Sequence, residues 1–176
     1  MKKVRKIAGF SLYILIILLL TLFVRSAAFQ RTVVSGDSMY PALNDGDSLM
    51  VNKLTYRFKD PERFDIIVFP YSVKDRVYYV KRIIGLPGET VEIREGVILV
   101  NGTVLPYKYN RSPIENPGLA STEISLRENE YFLLGDNVGS SVDSRSPEVG
   151  NIDRSQIIGK VFLRVRPLKD FGFISK

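Results

Sequence analysis

The sequence predicts a mainly β, antiparallel domain behind one N-terminal transmembrane helix. Three observations carry this. From Ile7 to Val24 the chain is almost entirely apolar, and as a helix the run would span about 27 Å at ~1.5 Å per residue, enough to cross a hydrocarbon core. Beyond it, short alternating or apolar runs recur with no helical spacing long enough to compete. Two dipeptides, Glu95-Gly96 and Asn101-Gly102, stand between such runs as hairpin turns.

The apolar run has only Ser11, Tyr13 and Thr21 as polar handles. Lys2, Lys3, Arg5 and Lys6 precede it, and only Arg25 and Arg31 follow soon after. That asymmetry predicts a single pass with the N-terminus cytoplasmic and the remainder outside the cell membrane. Ser26-Ala27-Ala28 has the small-x-small pattern of a secretory cleavage site, but the run exceeds the ~7 to 15 apolar residues of a signal peptide and Arg25 interrupts it. A retained anchor in the lipid bilayer is the reading adopted.

Strand-like runs follow at Thr32 to Ser35, Ser48 to Val51, Ile66 to Phe69, Val77 to Ile84, Val91 to Ile93, Val97 to Val100, Tyr131 to Leu134 and Ile157 to Val165. The two turns make residues 90–105 a small meander. From Pro106 to Arg127 the chain is polar and rich in Pro, Ser, Asn and Glu, a long loop or inserted lobe. The predicted organisation is therefore an anchor over 1–28, a β domain from 29–89 and 128–176, and an inserted lobe over 90–127.

Composition excludes several chemistries. The 176 residues contain no cysteine and no histidine, which removes disulfides, thiolate nucleophiles, sulfur-based zinc sites and zincin motifs. Of 25 basic residues, four lie ahead of the apolar run; the remaining 21 face 19 acidic ones, no surface for nucleic acid. Without imidazole, a hydroxyl nucleophile must give its proton to a lysine, a carboxylate or the terminal amine.

Ser38 lies in Ser35-Gly36-Asp37-Ser38-Met39-Tyr40-Pro41. Gly36 permits backbone angles closed to other residues and Pro41 fixes φ, so the segment can turn sharply and expose the Ser38 hydroxyl and amide together. The plainer alternative is a serine in an ordinary Gly/Asp/Pro loop. In Val77-Tyr78-Tyr79-Val80-Lys81-Arg82-Ile83-Ile84 the two-residue period puts Lys81 on one face with Val77, Tyr79 and Ile83. Burial there would lower its pKa and make it a base; the alternative is an edge-strand lysine whose head reaches water. Arg82, on the opposite face, reads as a packing or ion-pair residue. The run Gly135 to Arg145 concentrates short hydrogen-bonding side chains, either around a catalytic centre or as a turn in which Asp143 and Arg145 pair locally.

Together these segments resemble the bacterial type I signal peptidases, membrane-bound serine proteases with a Ser/Lys dyad. The family's S-G-x-S-M-x-P-T-L box appears as Ser35 to Leu43 with Ala42 for Thr, and its R-G-D-I-V-V-F box as Arg63 to Phe69 with Phe64 for Gly. Its Y-V-K-R-I-I-G-L-P-G-D box reads Tyr79 to Glu89 with Glu for the final Asp, and G-D-N-R-x-x-S-x-D-S-R reads Gly135 to Arg145 with Val138 for Arg. The resemblance implies Ser38 as nucleophile, Lys81 as general base, the Ser38 amide as oxyanion donor, Ser141 as orienter of Lys81, and Asp143 and Arg145 as supports. Some family members carry a second oxyanion donor, a serine, where this chain has Gly36.

The implied substrate is a secreted preprotein whose extended segment pairs along Tyr79 and Val80 and the chain at Val34 and Ser35, with small residues at the first and third positions before the cut. No metal or cofactor is expected. Self-cleaving repressor-type peptidases share the Ser/Lys logic, but work in the cytoplasm without an anchor. A noncatalytic membrane-tethered β domain that binds a partner protein is the remaining alternative.

Overall fold

The computed structural model describes residues 10–21, 28–72, 77–109 and 113–174. Residues 10–21 form helix α1, solvent-exposed throughout. No helix among the described residues is long and apolar enough to cross a membrane, and the span expected from Ile7 to Val24 extends at both ends outside them.

The rest is β, in strands β1 (Phe29–Val33), β2 (Ser48–Asn52), β3 (Ile66–Ser72), β4 (Val77–Gly85), β5 (Thr90–Arg94), β6 (Val97–Val100), β7 (Thr103–Val104), β8 (Ile124–Ser125), β9 (Glu130–Leu134), β10 (Ile152–Asp153), β11 (Gly159–Arg166) and β12 (Gly172–Phe173). One short helix, α2 (Thr55–Phe58), interrupts them. All pairings are antiparallel. The large sheet runs β1-β2-β11-β3-β4-β9-β10 with β12 beside β11, and the small one runs β7-β6-β5-β8.

The small sheet follows from its turns. Glu95 and Gly96 both have positive φ (52° and 78°), as do Asn101 and Gly102 (51° and 73°). Two successive residues of that hand give the twist that lets β5 return as β6 and β6 as β7 with two-residue loops.

In the large sheet the central strands are covered on both faces. Along β3, Ile66 and Val68 enter a core with Met39, Leu43, Leu49, Val51 and Val161. Ile67 and Phe69 enter the opposite core with Tyr56, Ile83, Tyr131 and Leu133. This is why Ile66 to Phe69 reads as a continuous apolar run; each such side chain contributes about 1.5 to 3 kcal/mol on burial. A third core joins the sheets, with Ile84, Phe132 and Leu134 against Val91, Ile93, Ile98 and Val100.

The polar stretch 106–127 is more structured than its composition suggests. Ile114, Ala120 and Leu126 are buried in the core between the sheets, a 3-10 turn forms at Gly118–Ser121, and β8 pairs with the start of β5. Three isolated apolar anchors without a period leave no pattern to read, yet they suffice to pin a loop.

Candidate active site

The segment that carries Ser38 is built by its neighbours. Val34 and Met39 are buried on either side of it, and short backbone bonds close the loop: Val34 N–H donates to Asp47 O, Gly46 N–H to Val34 O and Leu43 N–H to Met39 O. Gly36 has φ +82° and donates to Asp45 Oδ1 at 2.8 Å, so this position requires the backbone freedom that glycine supplies. Ser38 is left half-buried between two fixed apolar anchors.

Lys81 comes from the middle of β4, opposite Ile67 of β3. It is 3 % exposed, its Nζ donates to Ser38 Oγ at 2.7 Å, and the ammonium lies 5.1 Å from the centre of the Tyr79 ring. Burial pushes its pKa down from 10.5 to about 8, a fall that Asp143 and Asp136 oppose and Arg145 assists. The edge-strand alternative therefore does not hold, because the amine points into the fold rather than to water.

The loop after β9 packs beneath Ser38. Asn137 N–H donates to Ser38 O at 3.0 Å. A Cβ on Gly135 would fall 2.3 Å from Ser141 Oγ and 2.4 Å from Ser38 O, so only glycine admits this approach. Asp143, fully buried, accepts from Gly135 N–H at 3.1 Å and from Arg145 Nε at 2.8 Å. Arg145 also donates to Asn116 O at 3.0 Å and Val138 O at 2.7 Å. The Asp143–Arg145 pair is thus local, as the turn reading allowed, and it also clamps three chain segments. Ser141 Oγ is buried with no hydrogen-bond partner among the described residues; Lys81 Nζ pairs with Ser38 and not with it.

Sequence reasoning missed Asp136. Arg82 meets it through two parallel bonds, Nε to Oδ1 at 2.8 Å and Nη2 to Oδ2 at 2.7 Å. Arg82 also donates to Phe64 O, Tyr107 O–H donates to Asp136, and the Tyr109 ring stacks 3.6 Å from the guanidinium. Removing either partner would leave a buried charge, a loss of about 3 to 5 kcal/mol. The available signal was register: Arg82 pairs with Leu134, two residues before Asp136 and on the same face.

Val34, Ser35, Tyr79, Val80, Ser38 and Lys81 line one cleft of about 190 Å3. A larger cleft of about 570 Å3 lies past Tyr40 and Pro41, against Ser141 and Arg145. Among the described residues, no cluster of acidic side chains fit to hold a metal ion is present.

An antiparallel β domain holding a serine hydroxyl against a buried amine fits the class of serine endopeptidases. Comparison with known proteins gives that class a family. The family model described as signal peptidase, peptidase S26, matches residues 7–166. The chain is 39% identical over 160 residues to signal peptidase I of Bacillus caldolyticus, covering 85% of this chain and 86% of that protein. It is 35% identical over 153 residues to signal peptidase I T of Bacillus subtilis, covering 83% and 78%. A crystal structure of signal peptidase I from Enterococcus faecalis V583 shares 37% identity, with a TM-score of 0.47 over 58% of this chain and 97% of that one. The chain belongs to the signal peptidase (peptidase S26) family.

Proposed function

We propose that this chain is a membrane-anchored endopeptidase that removes signal peptides from translocated preproteins, with Ser38 as nucleophile and Lys81 as its base. The single observation that carries the assignment is the 2.7 Å contact between Lys81 Nζ and Ser38 Oγ in a site that lowers the amine pKa to about 8. A base must reach the proton that it removes and be neutral in useful amount near the working pH; Lys81 meets both conditions.

Neutral Lys81 accepts the Ser38 proton as Oγ attacks the scissile carbonyl. The Ser38 N–H makes no hydrogen bond among the described residues, which leaves it available to donate to the developing oxyanion. The ammonium returns its proton to the leaving amine as the C–N bond breaks, leaving an ester on Ser38. Lys81 then takes a proton from water, whose hydroxide attacks the ester, and the proton goes back to Ser38 Oγ. Ser141 fills the space beside Gly135 under Ser38, and Asp143 and Arg145 fix that loop. With Gly36 at φ +82°, a serine there would be strained, so the Ser38 amide acts without a hydroxyl donor from that position.

The preprotein lies extended along Val34, Ser35, Tyr79 and Val80, as an added strand. Its small residues before the cut fill the cleft of about 190 Å3. The run from Ile7 to Val24 spans the bilayer with the N-terminus cytoplasmic, which brings Ser38 to the outer face. The chain accordingly divides into an anchor over 1–28, a catalytic part over 29–89 and 128–176, and a lobe over 90–127.

The test is cleavage, by the full chain in detergent, of a preprotein with Ala at the first and third positions before the cut. Ser38→Ala and Lys81→Ala should each abolish it. Unchanged turnover in either variant removes the assignment.

A further inference from the structure

We propose that Glu115 reads the charge of the first residues after the scissile bond, so that the cleft beyond Ser38 favours basic over acidic residues on the leaving side of the cut. This rests on the assignment of Ser38 and Lys81 above.

Ser38 stands between two clefts. The one that contains Lys81 is bounded by the chain before the serine and by β4; the other is bounded by the chain after it, at Tyr40 and Pro41, and by the loop from Asn137 to Ser141. Residues 138–142 form the wall between them, with Gly139 and Ser141 lining the larger cleft and Ser140 and Val142 the smaller. An extended peptide with its acyl side in the smaller cleft must continue into the larger. At about 570 Å3 the larger has room for several side chains.

The charges of that cleft are unequal in their freedom. Asp136 is held by both arms of Arg82, and Arg145 is neutralised by Asp143. Glu115 is exposed and enters no ion pair among the described residues. The backbone on either side of it is nonetheless fixed. Ile114 is buried and donates its N–H to Gly96 O at 3.0 Å, Asn116 O accepts from Arg145 Nη1 at 3.0 Å, and Leu119 N–H donates to Arg145 O at 2.8 Å. The guanidinium that braces the loop under Ser38 therefore also braces the backbone next to Glu115 at the far wall. A negative charge unpaired among the described residues, on an anchored stretch of backbone, attracts a cation in the passing chain and repels an anion.

Three peptides identical up to the cut, with Lys, Gln or Glu at the second to fourth positions after it, are cleaved by the full chain in detergent. The expected order of kcat/KM is Lys, Gln, Glu, with steps of roughly two- to fivefold at low salt that shrink as salt is added. Within each enzyme the Lys to Glu ratio is the readout. Glu115→Gln should bring it towards one and Glu115→Lys should invert it. A ratio unmoved by Glu115→Lys, or one that responds only when the charge is placed before the cut, overturns the proposal. Failure of the Ser38 assignment shows separately, as cleavage of the Gln peptide by Ser38→Ala.

Discussion

Replacement of Lys81 by Met should stabilise the fold near neutral pH while abolishing cleavage. An amine whose proton affinity is lowered by folding opposes folding wherever the unfolded chain is protonated. With 10.5 in the unfolded chain and about 8 in the folded one, the penalty is complete below pH 8, falls as pH rises, and is gone above 10.5. Its full size is about 3 kcal/mol, from ~1.4 kcal/mol per pH unit, and roughly half remains at pH 9.5. Methionine keeps an unbranched chain of similar length in the pocket and removes the charge, at the cost of the hydrogen bond to Ser38 Oγ, about 1 kcal/mol at any pH. The net expectation is a variant more stable by about 2 kcal/mol at pH 7 and by about 0.5 kcal/mol at pH 9.5. Urea unfolding of the full chain in non-ionic detergent, followed by far-ultraviolet circular dichroism at both pH values, measures this. A stability difference that stays constant between pH 7 and 9.5 would refute the claim that burial lowers the proton affinity of this amine.

Two further outcomes follow from local geometry. Gly135→Ala should fold but lose about 100-fold in kcat, because its Cβ would displace Ser38 O and Ser141 Oγ and misplace the hydroxyl; an unchanged kcat in a folded variant contradicts this. At Phe64, the position where the resembling R-G-D-I-V-V-F box has glycine, φ is +70°, and the ring packs against Tyr107 and Tyr109. Phe64→Ala loses the ring and keeps the left-handed strain, whereas Phe64→Gly loses only the ring, so the glycine variant should be the more stable of the two by about 1 kcal/mol; denaturation midpoints showing the reverse order would contradict the strain.

Much of the fold was legible because it depends on near neighbours. The alternation in Val77 to Ile84 placed Lys81 with Tyr79 and Ile83, and in the structure Tyr79 and Ile83 share one core. The two dipeptide turns fall where positive φ values follow one another. The helix Thr55–Phe58 was not legible, since four residues carry no period. Strand β8 was not legible either: two residues in a polar stretch become a strand only because β5 offers them an edge.

The sequence by itself determined which chemistry was available. With no histidine and no cysteine, a hydroxyl had to be served by an amine or a carboxylate, and the strand period aimed one particular lysine at apolar surroundings. Only the tertiary structure decided that a separation of 43 positions closes to 2.7 Å between that amine and Ser38, that Asp136 belongs to Arg82 and leaves Lys81 unpaired with it, and that Glu115 lines the second cleft with no ion pair among the described residues. The physical reason is that a residue's type and local period act over a few positions, whereas desolvation and charge pairing depend on whatever distant segments the packed sheets bring within a few ångströms.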